Sequence, residues 1–343
     1  MITGLLLVVI AGILAGGCAA PIKIMRRFGY AHWALVSQLL GLVLLPWLAT
    51  LILCPHAWAA YSSVSRMVVL KANIFSLAWG VANVLCGLCL VRIGFSLTVG
   101  LLTGIGLPLG VLIPMIFRGT GLFASSPGMA SPSGHIVLAG VVIMLFAVAL
   151  ITLAGFGRDK VLRKQGLAHG ASFMAGLLMA SVAGLLQVGL SFAFVYSQGP
   201  ISEALAARGA GAAAAGLGVW ALTLPGGALV NLAFPAWLIT RSRSWGDFRR
   251  CPRDIGLSAL MGIMFFLFVL SMGQGMRFLG ALGASIGFGI YQAVQISSSQ
   301  AVGFASGEWR GIVGTPLRQM ALALVLLLAA VATMAAGRAT GSG

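Results

Sequence analysis

Long apolar runs alternate with short polar connections from one end of the chain to the other. Ten runs of roughly 20 residues, at 2–22, 34–54, 72–91, 94–117, 134–154, 169–196, 214–240, 255–276, 279–304 and 317–337, carry almost no charge. A helix needs about 20 apolar residues to cross a hydrocarbon layer of about 30 Å. Inside that layer each backbone N–H must be bonded within its own segment, so each run predicts a membrane-crossing helix. The pattern therefore predicts an all-α integral membrane protein with ten transmembrane helices. Composition agrees, with 60% hydrophobic residues, 8% charged residues and a mean hydropathy of +1.06, against about 25% charged in ordinary soluble domains.

A weak internal similarity suggests how the helices are arranged. "RIGFSLTVGLLTG" (Arg92 to Gly104) resembles "RFLGALGASIG" (Arg277 to Gly287): each has an Arg at the end of one run and a GxxxG opening the next, Gly100 with Gly104 and Gly283 with Gly287. The offset is five runs, an odd number, so the two halves would face opposite ways across the membrane. That predicts two inverted five-helix repeats, 1–155 and 169–343, joined by a basic connecting loop at 156–168. Many secondary transporters are built from inverted repeats, with substrate held near the bilayer midplane.

Charge reports orientation. The formal charge of +16 comes from 21 Lys and Arg lying almost entirely between the apolar runs, not on a folded basic face, so nucleic acid is not an expected partner. The odd connections carry Lys23, Arg26 and Arg27, then Arg92, then Arg158, Lys160, Arg163 and Lys164, then Arg241, Arg243, Arg249, Arg250 and Arg253, and finally Arg310. The even ones carry only Arg66, Lys71, Arg118, Arg208 and Arg277. The excess of basic residues marks the cytoplasmic side, which places both termini outside. The first run has its cations after the apolar stretch, the reverse of a signal peptide, and reads as the first span. Cys86 and Cys89 form a CxxC inside a predicted span with no acid or His nearby, and read as buried small residues.

Polar groups at membrane depth carry the candidate chemistry. In "GFGIYQAVQISSSQAVGF" (287–304), a helix places Tyr291, Gln292, Gln295, Ser298 and Ser299 on one face, with Ser297 and Gln300 outside it and Ile290, Val294 and Ala301 pointing elsewhere. Trp79 and Asn83 share a face of the third run, and Trp220, Thr223, Gly227 and Asn231 a face of the seventh. An amide can satisfy the hydroxyl rim of a neutral sugar and an aromatic ring can cover its C–H face. The alternative for each amide is that it joins helices, and Gln38, Gln187 and Gln274, each alone on its run, are read that way. Convergence of the others on one midplane cavity would make a sugar site.

Acids say what the site is not. Asp159, Glu203, Asp247, Asp254 and Glu308 all lie in connections or at run ends, so a deeply embedded cation site has little to be built from. His32, His56, His135 and His169 form no cluster with metal-ligand spacing. No nucleophile stands beside a base, so an enzyme is not expected and neither is a cofactor. Glu308, in "GEWRG" after the polar stripe, is either an interfacial ion pair or a protonatable group at the cytoplasmic mouth of the pathway.

With these residues noted, "LLPW" (44–47), "WGVANVLCGL" (79–88), "RIGFSLTVGLLTGIG" (92–106), "PGGALVNLAF" (225–234) and "GEWRG" (307–311) together resemble the rhamnose and proton symporter family of the drug/metabolite transporter superfamily. The resemblance implies two inverted five-helix halves around a central cavity, and import of a 6-deoxyhexose with a proton. On that reading the chain is a multi-pass carrier of the bacterial cytoplasmic (inner) membrane working by alternating access. Trp79, Asn83, Asn231, Tyr291, Gln292, Gln295 and Ser299 would bind the sugar and Glu308 would handle the proton. An exporter of small amphipathic metabolites or drugs, with a more apolar cavity, and a non-transporting membrane scaffold or sensor are the two other readings the residues permit.

Overall fold

A computed structural model describes residues 2–93, 95–116, 129–164, 170–279 and 287–336. Among the described residues every regular element is helical. The first half contains α1 (Ile2–Gly17), α2 (Tyr30–Gln38), α3 (Leu45–Leu53), α4 (Ala57–Ser63), α5 (Arg66–Ile93), α6 (Phe95–Ile116) and α7 (Pro132–Lys164). The second contains α8 (Gly170–Gln187), α9 (Gly189–Ala206), α10 (Ala212–Thr223), α11 (Pro225–Arg241), α12 (Asp247–Arg250), α13 (Pro252–Leu279), α14 (Phe288–Ala305) and α15 (Thr315–Ala336). A π-helical stretch, Leu39–Leu44, joins α2 to α3. The stretch 156–168, expected as a loop, is helical up to Lys164, because α7 runs on past the apolar segment.

Among the described residues seven helical stretches are long and apolar enough to cross a membrane: Ile2–Ile24, Tyr30–Leu53, Arg66–Leu90, Gly134–Arg158, Met174–Ala206, Pro252–Leu279 and Thr315–Met334. The pair α10 and α11, bent by 48° at its break, makes an eighth if it forms one span. The chain is thus a multi-pass helical membrane protein. The fourth and ninth expected runs are helical as α6 and α14, and α14 falls outside this set. In α14 the cause is plain: its glutamines and serines replace the aliphatic side chains that lipid favours. Gly283, half of the second GxxxG, lies outside the described residues.

Two compact units can be distinguished, and neither is continuous in sequence. The first comprises Met1–Gly17, Leu88–Leu185 and Gly275–Gly343; the second comprises Cys18–Gly87 and Leu186–Gln274. In the first unit α7 packs along α15, α1 along α14, and α6 against both α7 and α14. Glycine allows the α1–α14 approach: a Cβ at Gly16 would stand 2.3 Å from the Gln295 carbonyl oxygen, and one at Gly12 would stand 2.6 Å from Val294 Cβ. Such small-residue contacts drive helix association where lipid supplies no hydrophobic force. In the second unit α10 packs on α9 and α3, and α11 on α2. There Phe194 stacks on Trp220 with ring centroids 4.4 Å apart.

Candidate polar sites within the two units

The expected sugar-binding residues divide between the units. Trp79, Asn83 and Asn231 belong to the second; Tyr291, Gln292, Gln295 and Ser299 belong to the first, as does Glu308.

In the second unit the decisive local event is the break between α10 and α11. Pro225 has no N–H to donate, so the helix cannot run through without losing a bond, and it bends there. Two side chains of α5 satisfy the backbone groups the break exposes. Asn73 Oδ1 accepts from the Gly226 N–H at 2.7 Å while its Nδ2 donates to the Leu222 carbonyl at 3.0 Å. Ser76 Oγ accepts from the Gly227 N–H at 3.0 Å and lies 3.5 Å from the Leu224 carbonyl. One turn on, Gly80 meets Gly227 so closely that a Cβ on Gly80 would stand 2.7 Å from Gly227 Cα.

Asn83 and Asn231 meet beside that crossing. Asn83 Nδ2 donates to Asn231 Oδ1 at 2.8 Å, and Asn231 Nδ2 donates to the Gly227 carbonyl at 2.8 Å and the Gly80 carbonyl at 3.2 Å. Asn231 is buried and its two N–H groups are both used, so it clamps α5 to α11. Asn83 is half-buried and keeps its amide oxygen and one N–H for another partner. Trp79 is buried, tilted against Phe265 at 5.7 Å, with its other side close to Gly227. Asn73 and Ser76 were not singled out from sequence, although they continue the Gly80–Asn83 stripe at helical spacing and a Pro-Gly-Gly break demands partners of their kind.

In the first unit α14 presents amides of a different character. Gln292 is fully buried, and neither its Oε1 nor its Nε2 has a hydrogen-bond partner among the described residues. Gln295 is half-buried with its Oε1 likewise unpartnered. Tyr291 and Ser299 are buried, and Ser299 Oγ donates to the Ile296 carbonyl at 2.7 Å, back into its own helix. The expected split of α14 into a polar inner face and an apolar outer one is not observed. Ile290 is as buried as Gln292, Gln300, which lies off the polar stripe, is buried too, and Ser298 bonds across to the Ile13 carbonyl of α1 at 3.1 Å. The helix is surrounded by α1, α6 and α15, so more of its circumference is enclosed than a single inward stripe allows.

Beyond α14 a Schellman turn aims Glu308. Gly307, at a φ of 80, bonds to the Phe304 carbonyl, and the Glu308 N–H bonds to the Gly303 carbonyl at 3.0 Å. Glu308 then accepts from Arg158 Nη1 at 3.1 Å, with both side chains about nine-tenths buried. Arg158 also donates through Nη2 to the Ile93 carbonyl at the end of α5, and its guanidinium lies 5.4 Å over the Trp309 ring. A buried cation is thus held on three sides. Arg158 was counted from sequence as a connecting-loop charge; its place in α7 and its distant partner correct that reading. No group of three or more His, Cys, Asp or Glu that could hold a metal is found among the described residues.

The sequence model of the L-rhamnose-proton symport protein (RhaT) family matches residues 1–340. The chain belongs to that family. It is 28% identical over 330 residues to the L-rhamnose-proton symporter of Cronobacter sakazakii, covering 94% of this chain and 93% of the relative. It is 27% identical over 329 residues to the proteins of that name from Shigella boydii serotype 18 and from Escherichia coli strain 55989, covering 93% of each chain in both cases. The family is one of transporters rather than enzymes.

Proposed function

We propose that the chain imports L-rhamnose, or a 6-deoxyhexose like it, together with a proton across the bacterial cytoplasmic membrane. The observation that carries this reading is the match to proton-coupled rhamnose symporters over residues 1–340. Ten crossings in two inverted five-helix repeats, 1–155 and 169–343, form the scaffold of the proposal, with both termini outside. Three features support the repeat. Both α5 and α13 are 28 residues long, and each has an Arg in its last turn, Arg92 and Arg277. The unit boundaries also fall at matching places: after α1 and near the end of α8, then late in α5 and late in α13. Each unit therefore draws corresponding pieces from both halves.

Trp79, Asn83 and Asn231 of the second unit, and Tyr291, Gln292, Gln295 and Ser299 of the first, are each proposed to contact the sugar during transport. Gln292 supports this most directly. A buried amide without partners is destabilising by about 1–3 kcal/mol, and a hydroxyl-rich ligand can serve both its donor and its acceptor. Within the set, Asn231 holds Asn83 in position and Asn83 offers the unsatisfied groups. Glu308 is proposed to take the proton. Protonation removes the charge that holds Arg158, and Arg158 is also bonded to the end of α5, the helix that carries Asn83.

Uptake of labelled L-rhamnose into proteoliposomes, with and without an inward proton gradient and with competing sugars, tests the reading. Accumulation against a gradient, driven by pH and competed by 6-deoxyhexoses, is expected. Uptake indifferent to the pH gradient removes the symport claim, and no saturable uptake removes the carrier.

A further inference from the structure

In the second unit two basic connections more than two hundred residues apart in sequence are drawn onto one surface. The Asp254 carboxylate is buried and accepts the backbone N–H groups of Arg27 at 2.9 Å, Phe28 at 3.1 Å and Arg26 at 3.3 Å. That fixes the turn after α1 against the start of α13. Phe28 stacks on His32 at 5.2 Å and meets the edge of Phe248 at 5.4 Å, and His32 Nε2 lies 3.2 Å from the Ser244 carbonyl oxygen. The side chains of Arg26, Arg27, Arg243, Arg249, Arg250 and Arg253 are all exposed around this junction.

Orientation by charge requires arginines in these connections; it does not require them to converge. The two carboxylates nearby leave the cluster strongly positive. Asp254 faces inward onto backbone N–H groups, and Asp247 is directed at His32, 3.7 Å from Nε2. Arg243 is also held in an unusual way. It occupies the left-handed position that closes α11, at a φ of 53, with its N–H on the Thr240 carbonyl and the Ser244 N–H on the Ile239 carbonyl. Glycine is the residue this position favours. The border of the cluster is apolar: Trp237 and Trp245 are about half exposed, Ile24 likewise, and Arg241 lies 5.3 Å over the Trp237 ring. Tryptophan is enriched at the headgroup level of a bilayer, and guanidinium forks match phosphate oxygens in pairs.

We propose that this surface binds the phosphate of an anionic phospholipid headgroup, with Trp237 and Trp245 against the adjoining acyl chains. A free phosphate would share the arginines but would have no use for the apolar border, so lipid is the occupant the surface fits.

The test uses the full chain in a nonionic detergent, titrated with short-chain phosphatidylglycerol, short-chain phosphatidylcholine or inorganic phosphate, and followed by thermal unfolding and native mass spectrometry. Phosphatidylglycerol is expected to raise Tm saturably and to remain bound in the gas phase, while the other two do neither. Each cluster arginine removed should weaken that binding by about fivefold. Arg243→Gly is the sharpest variant, since it relieves the left-handed strain: its Tm without lipid should rise while its affinity for phosphatidylglycerol falls. Arg249→Gln with Arg250→Gln should lose more than twentyfold by the same scale. Arg66→Gln with Arg208→Gln, exposed cations of the same unit outside the cluster, should bind as the unaltered protein does. The proposal is overturned if phosphatidylcholine or phosphate stabilises equally, if the cluster variants keep full affinity, or if the control pair loses as much.

Discussion

At the scale of single residues, the two families of amide predict opposite responses to the same kind of substitution. Gln292 has no partner to lose among the described residues, so Gln292→Met should raise Tm in detergent, in line with a relief of about 1–3 kcal/mol. If it binds sugar, the apparent KM for rhamnose should rise about tenfold, which is one hydrogen bond in free energy. A fall in Tm would show that the amide is structurally engaged and would remove it from the site. Asn231→Leu should do the reverse, lowering Tm because Gly80, Gly227 and Asn83 all lose a partner. Loss of uptake there, at a matched folded fraction, should be no greater than for Asn83→Leu. Sequence made both residues conspicuous, since amides within apolar runs are rare. It did not distinguish them, because helical periodicity says which residues share a face and says nothing of what the face meets. Asn73 and Ser76 escaped for a related reason: their importance comes from the broken backbone opposite them, not from their own helix.

At the scale of elements, the α5–α11 crossing rests on the absence of side chains at two positions. A Cβ at Gly227 would stand 2.8 Å from the Ser76 carbonyl oxygen and 2.9 Å from the Trp79 ring, and one at Gly80 would strike Gly227 backbone. Backbone cannot yield as a flexible side chain can, so Gly80→Ala and Gly227→Ala should each push the helices apart, breaking the Asn83–Asn231 bond and lowering both Tm and uptake. Gly256→Ala is the matched control. Gly256 lies in α13 with nothing near its missing Cβ, and the change should stabilise by about 0.5–1 kcal/mol through helix propensity alone. Equal behaviour of all three in thermal unfolding would mean that the crossing is loose. The apolar run at 72–91 announced α5 to within six residues, whereas the single run at 214–240 is divided between α10 and α11 at Pro225. The seams were not announced, since a chain with 48 glycines offers many GxxxG-like pairs and only packing selects among them.

At the scale of the whole molecule, coupling requires that a proton taken up at one place change what another place can do, and Arg158 links the titratable Glu308 to α5, the helix proposed to bear substrate. It is bonded to Glu308 and to the carbonyl that ends α5, with Trp309 covering its guanidinium. The partnership spans 150 positions, which is why sequence could flag Glu308 and still not supply its cation. Removing one member of a buried pair leaves an uncompensated charge at a cost of about 3–5 kcal/mol, whereas removing both is often close to neutral. Arg158→Gln should therefore be severely destabilised, Glu308→Gln less so because Arg158 keeps the Ile93 carbonyl and the Trp309 ring, and the double variant should recover much of the stability that Arg158→Gln loses. Transport separates this structural role from a coupling one. With the proton site gone, Glu308→Gln should still exchange labelled for unlabelled rhamnose across proteoliposomes while failing to accumulate it under a pH gradient. If gradient-driven accumulation survives in Glu308→Gln at the level of the unaltered protein, the pair is a strut at the end of α14, and the proton must be carried by a group elsewhere in the chain.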